Sequence, residues 1–339
     1  MLKYFNPFLE AFFLTIVFIF VINLWAKKID WSGRNESRHI HQKNVYRVGG
    51  IAMVVVFIFS ILFNRDLVIT PELFGFMLAS VILLFVGIRD DFRELFWKTQ
   101  LFFQMAIGVL IFIIGVRIYH ITNPFTGGMI NLDLSQTVLI ALCLVVFWIV
   151  LVVNAVNWLD GIDGLAGGIT LISLVTIFLL SFKPEVNQPP IAIMAAILIG
   201  IMLGFLIFNF NPAKVLAGTS GSMFMGLSLA ILAIFSGTKI ATAILVLAIP
   251  IIDFIWVIGE RIKSRREIFR ADRKHLHYKL LELGWSQKKI AIIYYAITLL
   301  IAVVALNTRV IGKSVTLMIS FLIMIIVSWS IKKRLERLD

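Results

Sequence analysis

The chain has 339 residues, of which 60% are hydrophobic and only 15% are charged. Soluble domains are about 45–50% apolar and about 25% charged, so the composition excludes an ordinary soluble protein and indicates a polytopic membrane protein. The formal net charge of +12 suits anionic lipid headgroups and phosphorylated substrates, although membrane topology alone could account for it. The single cysteine, Cys143, lies in an apolar run, which excludes a disulfide framework and a cysteine metal site.

Apolar segments near the length of a membrane span recur along the chain. We predict transmembrane helices at about 8–26, 48–63, 71–88, 100–116, 136–153, 165–182, 190–208, 221–236, 239–258, 289–306 and 314–331. Between the fourth and fifth segments, Gly127-Gly128 separates two short alternating runs, which predicts a small β-hairpin. The chain has no repeat of fixed period, which weakens the case for an inverted-repeat transporter. We therefore expect one all-α integral membrane domain over residues 1–339, with about eleven transmembrane helices.

Lys and Arg residues are distributed unevenly between the connections. If the connection after the first helix is cytoplasmic, 24 of the 31 Lys and Arg residues lie on the cytoplasmic side and 7 lie outside. The positive-inside rule then places the N-terminus outside and the C-terminus in the cytoplasm. The polar motifs fall on the cytoplasmic side, so we expect the functional site at that face.

The first of these motifs is Arg38-His-Ile-His41 followed by Arg47-Val-Gly49-Gly50. Basic residues and histidines precede a glycine pair that opens a predicted membrane helix. A helix start presents free N–H groups and the positive end of the helix dipole, which suits a phosphate. We predict that Arg38, His41 and Arg47 bind substrate. The alternative is a basic loop that only sets topology.

The second motif, Arg89-Asp90-Asp91-Phe-Arg93, lies at the end of the third predicted helix. Paired carboxylates at a membrane boundary suit a hard cation such as Mg²⁺, which takes oxygen ligands together with substrate phosphates. One of the pair could also act as a general base. The alternative is a solvated helix end in which the carboxylates pair with Arg89 and Arg93.

The third motif is Asn154-Ala-Val-Asn157-Trp-Leu-Asp160-Gly-Ile-Asp163-Gly, between two apolar runs. Its four polar side chains are spaced by three residues, so they cannot share one face of a regular α-helix. They would align only in a 3₁₀-like turn or at a helix end broken by Gly161 and Gly164. Polar side chains at membrane depth favour a functional site. The alternative is a polar loop that reverses the chain.

Two further stretches contain candidate substrate contacts. Gly218-Thr219-Ser-Gly221-Ser222, with Lys214 before it, could wrap a phosphate with backbone N–H groups at a helix start. The longest cytoplasmic connection contains Asp272-Arg273-Lys-His275-Leu-His277. Its spacing predicts an amphipathic helix on the membrane surface, with the histidines as phosphate or sugar contacts. The alternative is a basic helix that anchors to lipid.

Together these five stretches resemble the polyprenyl-phosphate N-acetylhexosamine-1-phosphate transferase family (glycosyltransferase family 4), in family order, over about Asp30 to Leu281. The Asn154–Gly164 run matches the most specific family motif. The run from Asp272 to His277 looks more like the undecaprenyl-phosphate GlcNAc-1-phosphate transferase branch. The resemblance implies transfer of GlcNAc 1-phosphate from a UDP-N-acetylhexosamine to a polyprenyl phosphate lipid in a bacterial inner membrane. UMP would leave, and the product would start a lipid-linked envelope glycan. It also allows a homodimer and involves no nucleic acid.

The resemblance assigns roles to the quoted residues. It implies Mg²⁺, with Mn²⁺ as the alternative ion, bound by Asn157. It implies catalytic roles for four aspartates: Asp90, Asp91, Asp160 and Asp163. It implies substrate binding by Arg38, His41, Arg47, Lys214, Asp272, Arg273, His275 and His277.

One departure from the family pattern bears on activity. Thr219 stands where the family has a second, carboxylate metal ligand, and a neutral hydroxyl is a poorer Mg²⁺ ligand. A catalytically impaired relative that binds lipid phosphate or UDP-sugar is therefore one alternative. An ion-coupled transporter is another, although the acidic residues cluster at helix ends rather than at the helix midpoints expected of an ion path.

Overall fold

The computed structural model describes residues 1–29, 45–123, 128–132, 137–236, 240–265 and 274–335. Within these ranges the fold consists of thirteen helices and one two-stranded hairpin. Eight of the helices are long and apolar enough to cross a membrane. These are α1 (Leu2–Lys28), α3 (Pro71–Phe92), α4 (Trp97–Ile114), α5 (Val138–Leu159), α7 (Pro189–Asn209), α8 (Gly218–Phe235), α12 (Gln287–Asn307) and α13 (Val310–Leu335).

The remaining helices are shorter. Two are apolar, α2 (Gly49–Leu62) and α6 (Leu165–Ser181). Two more, α9 (Ile240–Val246) and α10 (Ala248–Lys263), form a pair bent by 74°. The segment predicted over 239–258 is therefore a broken helix pair and not one continuous helix. Helix α11 (Leu276–Glu282) is too short to span a membrane. Each of the eleven predicted segments contains a helix, while the number of spans and their orientation stay predictions.

The predicted hairpin is confirmed. Strand β1 (His120–Thr122) pairs antiparallel with β2 (Met129–Asn131), and Ile121 lies opposite Ile130. The hairpin lies between α4 and α5.

Helix α1 packs against α7 through small residues. A Cβ atom on Gly200 of α7 would lie 2.3 Å from the carbonyl oxygen of Phe8, and one on Gly204 would lie 2.9 Å from Cβ of Thr15. Glycines four residues apart let two membrane helices approach closely, which compensates for the absence of a hydrophobic driving force between helices in lipid. This contact fixes the first helix of the chain against the bundle.

Helix α8 lies at the centre of the bundle, and its start contacts α2 and α3 at the backbone. A Cβ atom on Gly50 would lie 2.3 Å from the backbone nitrogen of Gly221, and one on Gly87 would lie 2.2 Å from Cα of Ser220. The segment before α2 also pairs with the segment before α8, where Gly49 N–H donates to the Leu216 carbonyl at 3.0 Å. The starts of α2 and α8 are therefore joined to the end of α3.

Candidate active site at the ends of α3, α5 and α8

Asp91, near the end of α3, is a buried cap for α8. Its Oδ1 accepts a hydrogen bond of 2.9 Å from the backbone N–H of Thr219 and lies 3.4 Å from Nη1 of Arg47. The Ser220 hydroxyl lies 3.4 Å from Oδ2. A carboxylate here satisfies free N–H groups and complements the positive end of the helix dipole. The helix start predicted to wrap a substrate phosphate therefore already binds a carboxylate of the chain itself.

Gly218 makes this approach of Asp91 feasible. Its φ of +70° lies in the left-handed region, and a Cβ atom there would lie 2.5 Å from Oδ2 of Asp91. A side chain at this position would both strain the backbone and displace the carboxylate.

Asp90 has a different environment from its neighbour. It is half-buried, and its Oδ1 accepts hydrogen bonds from Leu95 N–H at 2.9 Å and from Nε2 of Gln100 at 2.8 Å. Its Oδ2 accepts one from the Thr219 hydroxyl at 2.7 Å. Asp90 is therefore fixed in orientation but remains accessible, whereas Asp91 belongs to the scaffold.

Helix α4 connects the carboxylate pair to the third motif. Gln100 of α4 contacts Asp90, and Gln104, one turn further on, exchanges hydrogen bonds with Asn154 of α5. Residues four apart lie on the same face of a helix. The same face of α4 therefore contacts the end of α3 and the last turns of α5.

The direction of the two helices places Asn157 towards Asp90. Further along α4, a Cβ atom on Gly108 would lie 2.9 Å from Cα of Val146, so α4 and α5 run antiparallel. Moving from Asn154 to Asn157 along α5 thus follows the direction from Gln104 back to Gln100. The Asn157 side chain is half-buried and makes no hydrogen bond within the described part of the chain. Its amide oxygen is an available hard ligand.

The third motif ends α5 and starts α6 through a glycine-containing turn. Helix α5 ends at Leu159, Asp160 follows it, and Gly164 adopts a φ of +75° at the start of α6. Of the two geometries proposed for this motif, the helix end broken by glycines is confirmed. Asp160 lies at this helix end and is half-buried.

Asp163 is buried within the same turn. Its Oδ2 accepts hydrogen bonds from Nδ2 of Asn211 at 2.8 Å and from Ala213 N–H at 3.0 Å. These contacts join the turn to the connection between α7 and α8. The geometry suits a structural role better than direct contact with a substrate.

His275 lies at the start of α11 rather than within a helix. Its backbone is extended, with φ −62° and ψ 148°, so the predicted helix does not continue through His275. Asp272, the other end of that predicted helix, lies outside the described residues. Nδ1 of His275 lies 2.8 Å from Oδ2 of Asp253, whose other oxygen accepts a hydrogen bond from Leu276 N–H. A buried carboxylate on α10 therefore orients this histidine and caps α11.

His277 is fully buried, with its ring stacked on His275 at 5.7 Å between centroids. Neither ring nitrogen has a hydrogen-bond partner within the described residues. Burial, and then the neighbouring His275, lower the pKa of His277 to about 3. His277 is therefore neutral at physiological pH.

Arg261 is a residue that the sequence did not single out. It is only 2% exposed, and its guanidinium carbon lies 4.8 Å from the ring centroid of Trp158. The Trp158 ring also packs against the rings of Phe254 and His275, with centroids 4.5 Å and 5.3 Å apart, respectively. The Trp158 ring, between the polar positions of the third motif, therefore joins α5 to α10 and α11. No spacing rule relates residues so far apart in sequence.

The structure thus brings together the ends of α3 and α5 and the start of α8. Lys214 is exposed on the connection before α8. Four predicted substrate-binding residues lie outside the described residues: Arg38, His41, Asp272 and Arg273. The described ranges contain no cluster of three or more His, Cys, Asp or Glu side chains that could bind a metal ion.

Comparison with known proteins agrees with the motifs. The family model for glycosyl transferase family 4 matches residues 73–237. A phospho-N-acetylmuramoyl-pentapeptide-transferase of Listeria monocytogenes is 30% identical, with 88% of this chain and 96% of the relative covered. A probable undecaprenyl-phosphate N-acetylglucosaminyl 1-phosphate transferase of Bacillus subtilis is 27% identical (93% and 88% covered). A decaprenyl-phosphate N-acetylglucosaminephosphotransferase of Mycobacterium leprae is 29% identical (81% and 76% covered).

The similarities to these three relatives extend over most of the chain and of each relative. The chain belongs to glycosyl transferase family 4, the polyprenyl-phosphate N-acetylhexosamine-1-phosphate transferases.

Proposed function

We propose that this protein transfers N-acetylhexosamine 1-phosphate, with GlcNAc as the expected sugar, from a UDP-sugar to undecaprenyl or another polyprenyl phosphate. The reaction releases UMP and starts a lipid-linked envelope glycan at the cytoplasmic face of a bacterial plasma membrane. The names of the relatives support the reaction class. The observation that carries the proposal is the accessible Asp90 carboxylate, fixed by three hydrogen bonds at the end of the bundle where α5 carries Asn157.

The chemistry requires a site of this kind. A phosphate oxygen of the lipid attacks the phosphorus that carries the sugar, and the bond from that phosphorus to the oxygen of UMP breaks. Both reactants are anionic, so the lipid phosphate must be oriented while charge on the leaving group is stabilised. Asp90 orients the lipid phosphate and accepts its proton where one is present. The exposed Lys214 supplies positive charge, as do Arg38, His41 and Arg273, the basic contacts predicted from the sequence.

The donor set fits Mg²⁺. Mg²⁺ is usually bound by one or two carboxylates together with waters and substrate phosphates, rather than by a full protein cage. Within the described ranges, Asn157 offers an amide oxygen that accepts no hydrogen bond. Oδ2 of Asp90 accepts a single one there, from Thr219. When bound, the ion would neutralise diphosphate charge. Thr219 directs its hydroxyl to Asp90, so we assign it to the carboxylate and not to the metal.

Product analysis tests the proposal. The purified protein, reconstituted in liposomes containing undecaprenyl phosphate, is incubated with Mg²⁺ and a panel of UDP-N-acetylhexosamines. We expect a lipid-linked sugar pyrophosphate by mass spectrometry, with UDP-GlcNAc the best donor. Binding of a UDP-sugar without any lipid product would contradict the proposal. It would favour the alternative of a catalytically impaired relative, which Thr219 suggests.

A further inference from the structure

Helix α12 holds the turn that follows α5. Gln287, the first residue of α12, accepts a hydrogen bond of 2.9 Å through Oε1 from the backbone N–H of Asp163. Tyr295, about two turns further on, donates its hydroxyl to the carbonyl oxygen of Gly164. Both contacts are to the backbone of the turn, so they fix its conformation whatever its side chains do. Both α12 residues lie outside the part of the chain matched by the family model.

The Tyr295 ring reaches the turn because α6 has a glycine beneath it. A Cβ atom on Gly168 would lie 2.1 Å from Cζ of Tyr295. Gly164, four residues earlier, adopts its φ of +75° and presents its carbonyl to the hydroxyl. Gly164 and Gly168 together leave room for the Tyr295 side chain, whose contacts join the start of α6 to α12.

The opposite side of the turn is held by the connection after α7. Asp163 accepts hydrogen bonds from Asn211 and Ala213, and Gly164 N–H donates to Oδ1 of Asn209 at 3.1 Å. The turn is therefore fixed between two elements. Its other end continues directly into Asp160 and the last turn of α5.

We infer that Gln287 and Tyr295 are positioning residues for the nucleotide-sugar side of the site. They set the backbone of the turn, and the turn sets where Asp160 and Asn157 stand relative to Asp90. The inference rests on the proposed function, because it assigns the turn to the binding of the UDP-sugar. Neither α12 residue contacts substrate in this account.

The two contacts from Gln287 and Tyr295 to the turn are called the clamp below. Hydrogen exchange on the full-length, detergent-solubilised protein tests whether they hold the turn. Gln287→Leu and Tyr295→Phe each remove one contact, and peptides covering residues 159–166 report the exchange of the turn. We expect roughly two- to tenfold faster exchange, the effect of losing one hydrogen bond. Tyr294→Phe is the matched control, since its buried hydroxyl has no hydrogen-bond partner in the described structure. Gln287→Glu keeps the acceptor oxygen and should exchange like the wild type. Equal exchange in all five proteins would overturn the clamp.

Kinetics test the positioning role. For Gln287→Leu and Tyr295→Phe we expect KM for UDP-GlcNAc to rise roughly three- to tenfold while kcat per folded molecule changes less, because ground-state binding is weakened. Gln287→Glu should restore KM. Faster exchange with an unchanged KM would overturn the positioning role. If wild-type protein with fully protected turn amides released no UMP from any UDP-N-acetylhexosamine, the proposed function would fail, and the positioning role with it. The exchange data would still decide on the clamp.

Discussion

The Thr219 hydroxyl donates a hydrogen bond of 2.7 Å to Asp90, while the backbone N–H of Thr219 donates one of 2.9 Å to Asp91. One residue therefore satisfies an acceptor on each of two adjacent carboxylates. An aspartate at this position, as in the family pattern, would add a third carboxylate, and like charges this close need a cation nearby. Threonine makes the carboxylate pair less dependent on a bound cation than aspartate would.

Thr219→Asp should make stability depend on Mg²⁺. We expect a lower melting temperature in metal-free buffer and recovery on addition of Mg²⁺, since the ion offsets the added repulsion. Thr219→Ser, which keeps the hydroxyl donor, is the matched control and should respond to Mg²⁺ as the wild type does. Thermal unfolding in detergent at neutral pH measures the effect. The same Mg²⁺ response in both variants would count against this role of Thr219.

Replacing Asp91 with asparagine should mainly lower stability, whereas replacing Asp90 with asparagine should mainly lower activity. Asp91→Asn removes the charge that caps α8 and faces Arg47, and we expect it to cost about 1–3 kcal/mol of stability. Asp90→Asn keeps much of the local packing and should unfold close to the wild-type temperature, but its turnover should fall roughly a hundredfold or more. Melting curves and initial rates on the same preparations separate the two effects. The opposite pattern would show that Asp91 carries the chemistry.

Gly87→Ala should disrupt the contact between α3 and α8. The added methyl group would lie 2.2 Å from the backbone of Ser220, where neither helix can move aside cheaply, so we expect a loss of about 1–3 kcal/mol or more. Gly259→Ala is the control, because no described atom lies within 4 Å of its added methyl group. That change should be neutral or stabilising, since alanine favours a helix over glycine. Similar melting temperatures for the two variants would contradict the close packing.

Stability should fall in mild acid because of His277. The pKa of this histidine is about 3 in the folded protein against an ordinary value of 6.5, so the unfolded chain binds more protons between these values. Stability is therefore fully present above about pH 6.5 and is lost as the pH falls towards 3, by up to about 1.4 kcal/mol per pH unit. His277→Phe, which cannot titrate, should show a shallower loss between pH 7 and pH 5. Parallel stability profiles would exclude this contribution.

The sequence predicted the helices and the hairpin because a long apolar run or a glycine pair determines the structure of its own segment. All eleven apolar segments contain helices, and Gly127-Gly128 marked the hairpin correctly. The break between α9 and α10 was missed because it interrupts an otherwise continuous apolar run. The assignments within the site depended on partners far apart in sequence. Nothing near Asp91 in the sequence indicates that Thr219 would use it as a cap, and nothing near Asp163 indicates Gln287.

Asp90 and Asp91 differ in a way that their sequence motif does not indicate. Two adjacent aspartates are equivalent in the sequence, and the family resemblance assigns both to catalysis. Their surroundings separate them, because only Asp91 faces the start of α8 and Arg47. Such a distinction arises from packing, which the sequence does not state.

Release of UMP by reconstituted protein tests whether this protein is a transferase that depends on Asp90. Wild type and Asp90→Asn are compared in liposomes with UDP-GlcNAc, with undecaprenyl phosphate and Mg²⁺ each added or omitted. We expect the wild type to release UMP only when lipid phosphate and Mg²⁺ are both present. We expect Asp90→Asn to fall to background while melting like the wild type. Undiminished UMP release by folded Asp90→Asn, or release that needs no lipid phosphate, would contradict these expectations.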